Sequence, residues 1–435
     1  MSYKAPEGTA DMLPSVARMW RATTETAAKL FATYGYEPID TPIFELTEVF
    51  CRGIGEATDV VGKEMFVVRS GENYKRSLAA GTDEGLKSKQ KLSLRPEGTA
   101  GTVRAVVQHN LVEQGAAPVK LWYGGPMFRA ERPQKGRLRQ FHQIGVECLG
   151  ATDPTADAEM IIMLMRFYET MGVPRDKMRL LINSMGDEAC RPAYRESVRQ
   201  FILEHEDEMC EECKRRAEIN PLRAFDCKNE TCSKIMEGAP RITDHLCEDC
   251  RAHYEAVKSL LDAAGVEYIE DSTLVRGLDY YTRTVFEVQV TEGLGFALGF
   301  ERMVLALEAA GALTDVPKVV DIYMACVDAS VRPVAFDLMC AARNAGLAVD
   351  MDHQSKSLKA QFKMADKLGA RAVMILGPDE VAAGKAKVRN MQTHDEKLVD
   401  IVAMKQLLGQ FGGQLVGGEG VPMSVEDIFS IENEE

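Results

Sequence analysis

The chain has 435 residues, 46% of them hydrophobic, and 52 Lys and Arg against 66 Asp and Glu give a formal net charge of −14. That length suits two or three domains with ordinary cores. No apolar stretch reaches the ~20 residues of a membrane span, and the polar start, with Pro6 and Gly8, lacks a signal-like core. A cytoplasmic protein with no membrane partner is expected. The acidic balance argues against indiscriminate nucleic-acid binding but leaves local basic patches free to grip phosphates.

Residues 15–34 have amphipathic helical spacing, with Ser15 as cap and Gly35 as stop. Extended segments follow at 37–44 and 65–69, then a helix over 99–114 after the Arg95-Pro96-Glu97 turn. Between Gly125 and Gly150 two short strands flank a basic turn. Alternation puts Met127, Arg129 and Glu131 on one face of the first strand. On the second, Phe141, Gln143, Gly145 and Glu147 share a face, and Ile144, Val146 and Cys148 take the other. Polar groups converging on a rigid sheet, below Lys135, Arg137 and Arg139, suit an anionic ligand held beside a small polar one.

A helix is expected over 153–171 and a strand over 178–184. From about 187 to 264 charge rises and cysteines cluster, which reads as an insertion interrupting a domain that spans 1–320. From Asp321 the pattern alternates: strand 321–327, helix 330–345, strand 347–352, helix 357–368, strands 371–377 and 387–392, and helix 396–411. This predicts an α/β domain over 321–411 with a largely parallel sheet. Residues 412–435 read as a flexible acidic tail.

Within the insertion, Cys210-x2-Cys213, Cys227-x4-Cys232 and Cys247-x2-Cys250 have zinc-ligand spacing, and any four could hold one Zn2+. The two CxxC pairs, Cys210 with Cys213 and Cys247 with Cys250, are the expected set; buried thiols in a small domain are the alternative. Cys51, Cys148, Cys326 and Cys340 read as small core residues. Lys359, Lys363, Lys367 and Arg371 form a basic stripe at helical spacing, either a solvated face or a phosphate contact. No nucleophile–His–acid arrangement, Walker loop or dinucleotide fingerprint is present; GLGFALG, 293–299, has the wrong spacing for the last.

Several long segments carry a resemblance. They are PEGTADMLP (6–14), LRPEGTAGTVRA (94–105), GPMFRAERPQKGRLRQFHQIGVECLG (125–150), LVRGLDYYTRTVFEV (274–288) and GFALGFERMVLAL (295–307). The third and last resemble motifs 2 and 3 of class II aminoacyl-tRNA synthetases, and the fourth resembles the histidine-specific signature of the histidyl-tRNA synthetase family. The resemblance runs from the amino terminus to about residue 411.

It implies an α+β catalytic domain, an antiparallel sheet with helices, interrupted by a small domain that touches the tRNA acceptor arm. It also implies a C-terminal α/β anticodon-binding domain. The implied substrates are histidine, ATP with Mg2+, and tRNA(His), and the implied assembly is a homodimer whose interface includes the segment with Pro38 and Pro42. By motif position, Arg129 matches the arginine on the α-phosphate and Arg302 that on the γ-phosphate. Glu131 matches the adenine-side carboxylate and Arg137 the loop arginine. Arg276 matches an arginine near the α-phosphate and the substrate carboxylate, so Arg276 and Arg129 are the expected catalytic pair. Glu147 and Tyr281 are expected around the imidazole, and Glu97, Thr99 and Gln143 around the α-amino group. Tyr280 is as much a core residue as a pocket one.

The sequence departs from the family after VFEVQV, 285–290. There the family continues through a Gly-rich GGGRYD segment, whereas here TEGLG leads straight into FALGFERM. The expected result is a tight turn and a histidine pocket with one wall opened, so that the ATP and tRNA sites persist while histidine binding weakens. Two other readings stay open: an impaired relative that binds tRNA, and a paralogue that regulates ATP phosphoribosyltransferase. The domain over 321–411 argues against the latter.

Overall fold

A computed structural model describes residues 3–55, 58, 60–80, 87, 90–112, 118–275, 282–290, 294–295, 299–309, 311, 320–411 and 424–431. The chain divides into two compact units, Met1–Asp315 and Val316–Glu435. Among the described residues no helix is long and apolar enough to cross a membrane.

The first unit is organised by a long hairpin. Val119–Phe128 and Gln140–Leu149 pair antiparallel over their whole length, and Glu37–Pro38 lies parallel to Leu121 and Trp122. The first strand starts earlier than expected, because Val119, Leu121, Trp122 and Tyr123 are good strand formers ahead of Gly125. It also ends earlier. Phe128 is its last residue, so Arg129 and Glu131 stand beyond the strand, although the Arg129 N–H still donates to the Arg139 carbonyl (2.9 Å). Ile144 is buried, and with Val146 and Cys148 it packs into the main core beside Phe31, Trp122, Ile161 and Phe167. The face carrying Gln143 and Glu147 is left for other work.

The helix Pro154–Thr170 supplies much of that core. Asp153 caps it by accepting from the Thr155 N–H (2.9 Å), and Pro154 sits where no N–H partner is needed. The helix Thr99–Gln108 is shorter than expected. Asn110, with φ of 50°, turns the chain, and the Leu111 N–H donates back to the Val106 carbonyl (3.0 Å). A second sheet runs in the order Leu294–Gly295, Thr284–Val290, Met178–Ser184 and Ile269–Glu270; only the last pairing is parallel.

The cysteine-rich stretch builds the helices Arg191–Glu204, Glu211–Ile219, Glu230–Met236 and Glu248–Ala263 around a core of its own that includes Tyr194, Val198, Leu222 and Met236. Its last helix is shared. Cys250 belongs to that core, whereas Tyr254, Val257 and Leu261 pack into the main core, and His253 Nε2 lies 2.8 Å from Asp157.

The second unit has a five-stranded sheet in the order Val349–Met351, Val320–Cys326, Ala370–Leu376, Lys385–Asn390 and Glu396–Asp400. The first three strands are parallel and the last two antiparallel, so the sheet is mixed. The expected helix over 396–411 is a strand followed by the helix Ile401–Phe411. Asp400 makes the break by accepting from the Val402 and Ala403 N–H groups (2.8 and 2.9 Å). Arg371 lies on a strand and pairs with Asp321 (3.3 Å), so the basic stripe reduces to Lys359, Lys363 and Lys367 on the helix Leu358–Lys367. Part of the supposed tail is ordered structure. Val425–Phe429 is a helix closed by a Ser424–Asp427 capping box, with Val425 and Ile428 buried in the core of this unit.

Candidate active site

Hairpin register decides what shares the open face. Leu121 pairs with Glu147, Tyr123 with Gly145, Gly125 with Gln143 and Met127 with Phe141, so these side chains line one side of the sheet. Tyr123 is buried at the centre. Its hydroxyl donates to Glu147 Oε1 (3.2 Å) and lies 3.5 Å from Thr99 Oγ1. Its ring fills the space over Gly98 and Gly145, where a methyl group would overlap it.

Glu147 is thereby held in a largely buried slot. Burial is the main cause that raises its pKa to about 7; hydrogen bonds from Thr99 and Tyr123 oppose the rise, and the Glu97 charge adds to it. Glu97 is also buried. Both its oxygens are engaged at the start of the helix Thr99–Gln108, accepting from the Thr99 N–H (2.6 Å) and the Ala100 N–H (2.9 Å). Gln143 Oε1 is buried with no hydrogen-bond partner among the described residues, which leaves an acceptor for a ligand. The structure thus brings Glu97, Thr99 and Glu147 together around Tyr123, with Gln143 on the same face.

The other end of the face is cationic. Arg129 Nε donates to the Pro96 carbonyl (3.0 Å), and its guanidinium lies over the Phe141 ring at 5.2 Å. Arg137 reaches Glu131 (3.4 Å) across the turn. Arg302, on the helix Phe300–Ala309, donates from Nε to the Gly136 carbonyl (3.3 Å). That helix is fixed to the hairpin by its neighbour Glu301, whose two oxygens accept from the His142 N–H, both at 3.0 Å. Burial, then the Arg137 charge, lowers the Arg302 pKa; Glu131 opposes this and Arg129 adds to it. The positive charges of Arg137 and Arg129 both act on Arg302, so the fold gathers like charges here, an arrangement suited to an anionic ligand.

Arg276, Tyr280 and Tyr281 lie outside the described residues. The chain that leads to them is anchored, since Leu274 and Val275 are buried and the Leu274 carbonyl accepts from Asn183 Nδ2 (3.0 Å). Three structural participants were not anticipated from sequence: Tyr123, the His142–Glu301 pair, and Arg95. Arg95 ties the segment before Glu97 to the hairpin by donating from Nε to the Pro126 carbonyl and from Nη1 to the Thr41 carbonyl, both at 2.9 Å. The available signal for Tyr123 was an aromatic residue on a strand facing two glycines.

With this geometry fixed, comparison with known proteins is decisive. Residues 8–299 match the family described as histidyl-tRNA synthetase, and residues 321–410 match the anticodon binding domain. The chain belongs to the histidyl-tRNA synthetase family. A histidine–tRNA ligase of Halothermothrix orenii is 41% identical over 422 residues, covering 91% of this chain and 96% of the relative. One from Desulforamulus reducens is 42% identical over the same span and coverage. The solved apo histidyl-tRNA synthetase of S. aureus superposes with a TM-score of 0.74 at 33% identity, covering 94% of this chain and all of that one. The class II fold, with its catalytic and anticodon-binding parts, is therefore that of the family.

The cysteines depart from expectation. Cys210, Cys213, Cys247 and Cys250 do not share one site, because sequence spacing pairs neighbours along the chain but not across space. Cys210 and Cys213 cluster with Cys227 and Cys232, whereas Cys247 and Cys250 cluster with Asp187 and Cys190.

Proposed function

We propose that this chain is a histidine–tRNA ligase. A carboxylate oxygen of histidine attacks the α-phosphorus of ATP, and the bond to pyrophosphate breaks. A ribose hydroxyl at the tRNA terminus then attacks the acyl carbon of the adenylate, and AMP leaves. The protein's work is positioning, together with stabilising charge at phosphorus. The observation that carries this reading is one sheet face with two unlike ends. The Arg129–Arg137–Arg302 group suits phosphates, and the Tyr123–Glu147 slot beside Gln143 suits a small polar amino acid.

Arg129 supplies a permanent, forked charge to the α-phosphate, joined by Arg276. Arg302 holds the γ-phosphate, and Glu131 and Arg137 hold the adenine side. Glu147, with Tyr281, pairs with the imidazole, while Glu97, Thr99 and Gln143 hold the α-amino end. Mg2+ would be held mainly by phosphate oxygens, which it screens. Glu287, a carboxylate whose charge acts on Arg302, fits an oxygen donor set of that kind.

The acyl acceptor is tRNA(His), gripped in part by Lys359, Lys363 and Lys367, which are exposed on one helix. A homodimer is supported by exposed apolar side chains in the first unit, Phe44 (52% exposed) and Val107 (73%) among them. Cytoplasmic location agrees with eleven free cysteines. The sequence lacks the family's GGGRYD segment between VFEVQV and FALGFERM, and this absence raises the histidine KM and leaves the ATP KM unchanged; residues 291–293 and 296–298, where the join falls, lie outside the described residues. Charging of tRNA(His) with labelled histidine tests the assignment: accumulation of histidyl-tRNA is expected, and uncharged tRNA with folded enzyme, ATP and Mg2+ would refute it.

A further inference from the structure

The cysteine-rich stretch holds two groups of metal-ligating atoms that the synthetase reaction does not use. In the first, the sulfurs of Cys210, Cys213, Cys227 and Cys232 lie within 4.8 Å of one another. In the second, the sulfurs of Cys190, Cys247 and Cys250 and a carboxylate oxygen of Asp187 do the same. We propose that this stretch binds two Zn2+ ions, one in the all-thiolate site and one in the mixed site of three thiolates and the Asp187 carboxylate.

The geometry is that of a metal site and not of disulfides. All seven thiols are free. Cys210 Sγ and Cys227 Sγ stand 3.8 Å apart, well beyond the ~2.05 Å of a disulfide. Zn–S bonds of ~2.3 Å place two sulfurs of a tetrahedron ~3.8 Å apart.

Both sites share one local construction. Cys210 stands at the N-cap position of the helix Glu211–Ile219 with Cys213 three residues on, and Cys247 at that of the helix Glu248–Ala263 with Cys250 three residues on. Each CxxC pair therefore presents its sulfurs at a helix start, where partial positive charge favours thiolates. Backbone N–H groups support both sets. The Cys210 N–H donates to Cys232 Sγ (3.2 Å), and the Asp187 N–H donates to Cys190 Sγ (3.4 Å). Asp187 Oδ1 completes the second group, 3.5 Å from Cys190 Sγ and 3.8 Å from Cys247 Sγ.

The positions explain what the ions would do. The inner helices, Glu211–Ile219 and Glu230–Met236, are only 9 and 7 residues long, the situation in which a structural metal can supplement limited local burial. The all-thiolate site gathers the inner turns. The mixed site sits where the chain enters, just after Met178–Ser184, and where it leaves along the helix shared with the main core. It would clamp the base of the inserted stretch to the catalytic part.

Metal content of the full-length protein, purified under reducing conditions and reconstituted with zinc salt before gel filtration, tests this directly. Two zinc per chain are expected. Cys232→Ser and Cys250→Ser should each lose one equivalent, the double variant should lose both, and Asp187→Ala should lose or weaken only the second. Cobalt reconstitution should give tetrahedral thiolate spectra in wild type, with the intensity reduced in each variant. One zinc per chain or none in reconstituted, folded wild type would overturn the two-site proposal, as would loss of both ions from either single variant that remains folded.

Discussion

The Tyr123 hydroxyl donates to Glu147 Oε1 at 3.2 Å, from a ring seated against Gly98 and Gly145. The buried tyrosine thus sets both the position and the electrostatics of the carboxylate proposed to read the imidazole. Removing the hydroxyl and keeping the ring isolates the effect. In Tyr123→Phe the histidine KM should rise about tenfold, the value of one net hydrogen bond to a charged group. The ATP KM should stay within about twofold. Steady-state pyrophosphate exchange measures both, and an equal rise in the two would contradict the division of the face into two ends.

Close packing of the ring gives a second expectation. Gly145→Ala places a methyl group inside the space of the Tyr123 ring, so the ring or the strand must shift. Overpacking of this kind costs about 1–3 kcal/mol. Urea denaturation should show that loss, with a weakened histidine site in the protein that remains folded. An unchanged midpoint would mean the ring is free to move aside.

Glu147 titrates with a pKa raised to about 7, first because of burial. The sign follows from proton counts. Between the ordinary carboxylate range and pH 7 the unfolded chain has lost this proton and the folded chain keeps it. Stability contributed at this site is therefore present at low pH and falls as pH rises through that window. One pKa unit is worth about 1.4 kcal/mol, so the interval from 4.5 to about 7 corresponds to a change of roughly 3 kcal/mol. Glu147→Gln cannot ionise and should flatten the pH dependence of urea stability between about pH 4.5 and 7. Parallel wild-type and variant profiles would refute the assignment.

The cationic end separates charge from geometry. Arg129→Lys keeps a positive charge but loses the fork, and the stack on Phe141 with it. The exchange rate should fall about 100-fold or more, with circular dichroism and melting behaviour retained. Arg302→Lys should act mainly on the ATP KM, since that side chain is proposed to hold the terminal phosphate. Near-wild-type exchange in Arg129→Lys would remove Arg129 from the chemistry.

Much of the site was legible in the sequence because strand alternation is rigid. Once 140–149 is read as a strand, Gln143 and Glu147 must share a face, and Ile144 must face the core. The C-terminal strands and helices were equally readable, except where a short segment had no strong period. Glu396–Asp400 ran into an apolar helix, and only the capping role of Asp400 marks the join. Tyr123 escaped because its importance comes from packing between residues distant in sequence. The metal-ligating sets escaped for the same reason. Spacing shows which cysteines are neighbours along the chain, but the fold brings Cys227 and Cys232 to one CxxC pair and Asp187 and Cys190 to the other.

The most direct test of the central claim is ATP–pyrophosphate exchange with histidine set against a panel of other amino acids. Exchange with histidine alone is expected, with the histidine KM raised if the absence of the GGGRYD segment after VFEVQV weakens histidine binding as proposed. Exchange with none, from enzyme shown to be folded, would contradict the ligase assignment and favour a relative that binds tRNA without activating an amino acid. Exchange with a different amino acid would contradict the reading of the Tyr123–Glu147 slot.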